Sequence, residues 1–166
     1  MGKIKGTLLL LLLFISLACN NQEDADIEVG SLSSYDFNNK IQVNTIQDAT
    51  LYVLEDIEYK FEGVGIDYWQ TPEQTYRLKT GDCEDKALLL MYILKNKLGV
   101  ESHFLLIENI FTQAGHAMLL TNDDDYLLST EEGNTLPKGW KVLHIITYSE
   151  VLWMAYYYHN NVGKYY

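Results

Sequence analysis

The stretch "ALLLMYIL", Ala87 to Leu94, constrains this chain more than any other. Wound as a helix it is apolar on nearly every side, and such a helix has no face to give to water. It must be buried, so the rest of the chain has to wrap around it. The helix is expected to run from about Cys83 to Leu98. Its start is acidic, with Asp82, Glu84 and Asp85 suited to the positive helix end, and Asp82 or Thr80 is the candidate cap. Lys95 and Lys97 suit the opposite end, and Gly99 is the expected C-cap.

The flanks split into helices before and strands after. Ile46, Ala49, Tyr52 and Val53 recur at helical spacing, with Asn44 or Thr45 as cap and an end near Glu55. The glycines of "GVGIDYWQ", 63–70, mark an irregular loop. Thr71, Pro72 and Gln74 spell a capping box with proline at the first helical position, which predicts a short helix over 72–78. Beyond Gly99 the pattern changes. "ESHFLLIEN" and "GHAMLLT" read as strands, and "NDDD" between "AMLLT" and "YLLST" reads as a hairpin turn. "KVLHIITY" is a further strand. From Ser149 a terminal helix is expected, with Leu152, Tyr156 and Tyr157 or His159 at helical spacing. Helices followed by an antiparallel sheet define the α+β class. The chain has 166 residues, enough for one domain.

The first residues stand apart from this pattern. Lys3 and Lys5 precede an unbroken apolar run from Leu8 to Ile15, too short for a membrane span and suited to a signal peptide. The run ends in "SLAC", with small Ala18 before Cys19, and this resembles a bacterial lipoprotein signal; an ordinary cleaved signal is the alternative. The resemblance implies cleavage after residue 18 and lipidation of Cys19. It gives three segments: a signal peptide over 1–18, a lipidated cysteine and polar tether over 19–40, and a domain over 41–166. It also implies a membrane-anchored protein of the bacterial cell envelope. The formal net charge of -11 makes nucleic acid a poor partner, because phosphate backbones reward basic patches.

The chain contains two cysteines. If Cys19 is lipidated, Cys83 has no partner for a disulfide, and exported proteins seldom keep a spare thiol unless it is buried or used. A buried, inert cysteine is one reading. The other is chemical. A helix N-terminus favours thiolate, but Asp82, Glu84 and Asp85 oppose it, so a nucleophile at Cys83 would require an activating base. Of His103, His116, His144 and His159, His116 has the most suggestive setting, opening a strand after Gly115. Spacing alone leaves the pairing open, since most histidines are surface or satisfied core residues.

The run from Thr71 to Val100 resembles the active-site region of bacterial transglutaminase-like proteins, relatives of papain-like cysteine peptidases. The matching pieces are "WQTP" at 69–72, "GDCED" at 81–85, "LG" at 98–99 and "GHA" at 115–117, within about residues 45–130. The resemblance implies Cys83 as nucleophile and His116 as general base, with the Cys83 main-chain N–H helping to bind an oxyanion. It suggests Trp69 for the active-site cleft, with a packing aromatic as the equal alternative. At the third position the family carries aspartate after "Y-x-L", whereas this chain reads "YLLST" and places Ser129 there. A serine accepts a hydrogen bond but brings no charge; Thr130, Glu131 or a residue elsewhere in the chain are the alternatives.

The activity so implied is hydrolysis or acyl transfer at an amide of a protein or peptide, through a thioester. The alternative is a catalytically weak domain that binds or scaffolds. No cofactor is required. Calcium enters only because some relatives bind it through acids matching Asp82 and Glu84, and helix capping accounts for those acids as well. Asp123, Asp124 and Asp125 read as an acidic hairpin tip.

Overall fold

A computed structural model describes residues 40–61, 68–122, 126–128 and 135–161. Its elements in order are α1 (Ile46–Asp56), β1 (Glu58–Tyr59), α2 (Pro72–Leu78), β2 (Thr80–Gly81), α3 (Cys83–Ile93), β3 (Ser102–Asn109), β4 (Gly115–Thr121), β5 (Tyr126–Leu127), β6 (Trp140–Ile146) and α4 (Tyr148–Asn161). Helices thus precede a mainly antiparallel sheet. The signal segment, Cys19, the tether as far as residue 39, Ser129 and the acidic hairpin tip lie outside the described residues. Among the described residues no helix is long and apolar enough to cross a membrane.

The apolar helix is the centre of the molecule. Ala87, Leu89, Leu90 and Ile93 are 0% exposed. Burying each aliphatic side chain of leucine size is worth about 1.5–3 kcal/mol, so this helix holds the core together. Beyond Ile93 the helix widens into a π-helical stretch, Leu94–Leu98. Gly99 then turns left-handed at φ 67°, and the N–H groups of Gly99 and Val100 both reach the Leu94 carbonyl. The expected length is right, but the last turn is wider than an α-helix.

The sheet has the order β5-β4-β3-β6, with every pairing antiparallel. Alternate residues of β3 serve two cores. Phe104 and Leu106 face the α3 side, while Leu105 and Ile107 join Met118 beneath Leu136 and Trp140 on the other. That explains a strand that is apolar almost without alternation: both of its faces are covered.

Reciprocal capping boxes start α1 and α2, and a one-sided cap starts α4. Thr45 exchanges bonds with Asp48, and Thr71 with Gln74. At α4 the Thr147 N–H and hydroxyl both donate to the Glu150 carboxylate. The terminal helix therefore begins one residue before Ser149, and its inward face is Val151, Met154 and Ala155 rather than Leu152, Tyr156 and Tyr157. The register is set by the cap at Thr147. Glu58–Tyr59 pairs in parallel with Thr80–Gly81, a small ladder that the sequence did not suggest.

Candidate active site

The short strand β2 delivers the chain to the head of α3. Gly81 is needed there for space: a Cβ would lie 2.6 Å from the Asp85 Cβ. Asp82 is the N-cap, in extended conformation, and Asp85 is its reciprocal partner. The Asp85 carboxylate accepts the Asp82 N–H at 3.4 Å and the Gln70 N–H at 2.7 Å. It is 1% exposed. Asp85 therefore ties the start of α3 to the loop that enters α2, and Cys83 occupies the first helical position between these anchors.

The thiol is half-buried. Its Sγ–H donates to Glu84 Oε2 at 3.1 Å, and the sulfur accepts the Ala117 main-chain N–H from β4. Burial raises the thiol pKa well above its ordinary value, and the Glu84 charge and hydrogen bond push the same way. The Ala117 N–H opposes them and is outweighed. The helix end by itself does not make a thiolate here.

One turn along the same helix, Lys86 is buried, and its Nζ donates to the Ile57 carbonyl at 2.8 Å. Burial lowers its pKa.

His116 stands on β4 opposite Ile107 of β3. Its Nε2 lies 2.9 Å from the Leu128 carbonyl oxygen. A carbonyl only accepts, so Nε2 carries the proton and Nδ1 keeps its lone pair in the neutral ring. The edge of the ring meets Trp140 at a centroid distance of 6.2 Å. Burial lowers the imidazole pKa below its ordinary 6.5, and the Leu128 bond offsets part of that.

Cys83 and His116 line the same small cavity of about 160 Å³. Its other walls are Leu54, Tyr59, Lys86, Ala117 and Leu128. The volume suits one side chain or a short acyl segment rather than a drug-sized ligand. Among the described residues no hydrogen bond joins the sulfur to the imidazole; the thiol bonds to Glu84 and Nε2 to Leu128. Leu54, Tyr59, Lys86 and Leu128 were not singled out by sequence. Lys86 carried a signal, a lysine directly before the apolar run of α3 and one turn after the cysteine.

Trp69 has the surroundings of a packing aromatic, one of its two readings from sequence. It is 3% exposed, packs on Phe104 at 5.6 Å, and is absent from the cavity walls. Its indole Nε1 has no hydrogen-bond partner among the described residues. Asp82 and Glu84 serve the helix cap and the thiol respectively. Among the described residues no three His, Cys, Asp or Glu side chains gather as a metal site would require.

No family model matches the chain, and no curated protein matches it. Among solved structures it is similar to Legionella pneumophila LapG, at a TM-score of 0.41 and 16% identity over 68% of this chain and 63% of that one. An EGTA-treated form of LapG matches equally, with 61% of its length covered. The chain thus spans about three-fifths of the length of these structures.

Proposed function

We propose that the domain is a cysteine-dependent hydrolase or acyl transferase of transglutaminase-like type, acting on amide carbonyls of a protein or peptide. We place it in the bacterial cell envelope, held by a lipid on Cys19. The observation that carries the chemistry is the meeting of Cys83 and His116 on two walls of one small cavity. The "GDCED" and "GHA" motifs lie on those walls.

In this reading a substrate amide enters beside the sulfur. His116 Nδ1 takes the thiol proton as sulfur attacks the carbonyl carbon. The developing oxyanion lies near the Cys83 main-chain N–H, which has no acceptor within its own helix. The C–N bond breaks, the amine leaves with the proton from His116, and a thioester remains on Cys83. Water then attacks the thioester and restores the thiol, releasing a carboxylate; an attacking amine would give transamidation instead.

A second reading is supported by the Glu84 contact. A thiol bonded to a carboxylate, with its pKa raised, suits a catalytically weak domain that binds rather than cleaves. Alkylation of Cys83 by iodoacetamide, followed by mass spectrometry across pH, separates the two. The enzyme reading expects native-state labelling that rises as His116 loses its proton and falls at least about tenfold in His116→Ala. Labelling indifferent to His116, or seen only after unfolding, would sink it.

A further inference from the structure

Among the described residues, three residues other than glycine have positive φ: Lys79, Gln113 and Leu128. Two have ordinary explanations. Lys79 ends α2, its N–H reaching the Thr75 carbonyl. Gln113 turns the β3–β4 hairpin, its N–H reaching the Asn109 carbonyl. Leu128, at φ 60°, ends no helix and follows a two-residue strand. Leucine has no local side-chain hydrogen bond to compensate this conformation, as asparagine has. Strained residues of this kind gather at functional sites, where the surroundings hold them.

What Leu128 does in this conformation is present its carbonyl to His116 Nε2 at 2.9 Å. We propose that the Leu128 main-chain carbonyl is the orienting partner of His116, set by the left-handed turn, and that it holds the ring with its proton on Nε2 and its lone pair on Nδ1. Leu128 is a positioning residue, because its carbonyl acts through the imidazole and touches no substrate. The arrangement differs from a carboxylate partner in one respect. A carbonyl dipole fixes the tautomer but adds no negative charge, so an imidazolium formed during the reaction gains less stabilisation. The base is neutral at rest and the thiol stays protonated until the attack itself. The catalytic consequence rests on the reading of Cys83 and His116 as nucleophile and base; the orientation of the ring does not.

The test is nitrogen-15 NMR of histidine-labelled full-length protein, run alongside iodoacetamide labelling. The expected wild-type result is an Nε2-protonated ring whose Nε2–H exchanges slowly with water. Leu128→Gly, which adopts φ 60° freely, keeps that proton. Leu128→Val, whose branched Cβ resists the conformation, loses the slow exchange and labels at least about tenfold more slowly. A wild-type ring protonated on Nδ1, or a slowly exchanging Nε2–H that survives in Leu128→Val, overturns the proposal. Should Leu128→Val fail to fold, the wild-type and Leu128→Gly spectra decide it. A protected Nε2–H together with His116-independent labelling would retain the orientation and reject the functional reading.

Discussion

On the helix side of the cavity, side chains hold the thiol in place. Asp85 reaches back to Asp82 and across to Gln70, Gly81 makes room for it, and Glu84 takes the thiol proton bond. On the sheet side, main chain holds the imidazole. The Leu128 carbonyl binds the ring, and the Ala117 N–H meets the sulfur. A wall built from side chains is sensitive to substitution at each of its members. A wall built from backbone depends on conformation and tolerates many side chains. The contrast also decides which wall a motif can reveal.

The largest expected effect tests the side-chain wall. Asp85→Ala removes a buried carboxylate and leaves two main-chain N–H groups without their acceptor. Stability should fall by about 2–4 kcal/mol, read from urea unfolding. A loss below about 0.5 kcal/mol would show that Asp85 does not anchor the helix start.

A pair of glycines compares the two walls directly. Gly81→Ala drives a Cβ to within 2.6 Å of the Asp85 Cβ, so backbone must shift, at a cost of about 1–3 kcal/mol. Gly115, at the head of β4, has nothing within 4 Å of its would-be Cβ. Gly115→Ala should change stability by no more than about 0.5 kcal/mol. Equal losses in both variants would erase the distinction between the walls.

This contrast explains what could be read from the sequence. Capping boxes are side-chain patterns, and those at Thr45 and Thr71 locate α1 and α2. Thr147 and Glu150 carry the same spacing, and they rather than Ser149 start α4. "GDCED" was legible as a run of side-chain types that resembles a family motif. Ser129 is indicated only by its position after "Y-x-L". A carbonyl turned by a left-handed leucine leaves no residue-type signal, since leucine is not a residue that favours φ 60°. The β1–β2 ladder was illegible because two residues carry no periodicity. Sequence leaves Trp69 as a cleft or a packing aromatic, and its contact is Phe104 in the core, which sequence spacing does not show.

Glu84 offers a smaller and sharper probe of the helix side. Its carboxylate lies 3.1 Å from the sulfur and disfavours the thiolate. Glu84→Gln removes the charge and should lower the thiol pKa. Iodoacetamide labelling at pH 8 should then speed up by several-fold, to about tenfold for one pKa unit. Slower labelling would mean that the carboxylate acts as a proton acceptor and not as a restraint.

The smallest effect carries the clearest sign. Burial lowers the folded pKa of His116 below the ordinary 6.5, despite the opposing Leu128 bond. On acidification through 6.5 the unfolded imidazole gains a proton that the folded ring refuses. Stability therefore falls as pH drops, by at most about 1.4 kcal/mol per pH unit, until the folded pKa is reached. A carboxylate partner would reverse the sign. It would raise the folded pKa, and the protein would gain stability from this group below 6.5. Urea unfolding of wild type and His116→Gln at pH 7.5, 6.5 and 5.5 isolates the contribution as a difference. A wild type that loses stability relative to the variant on acidification fits a dipole-held, neutral ring. A relative gain would mean that a negative charge faces His116, and the backbone account of the sheet wall would have to be abandoned.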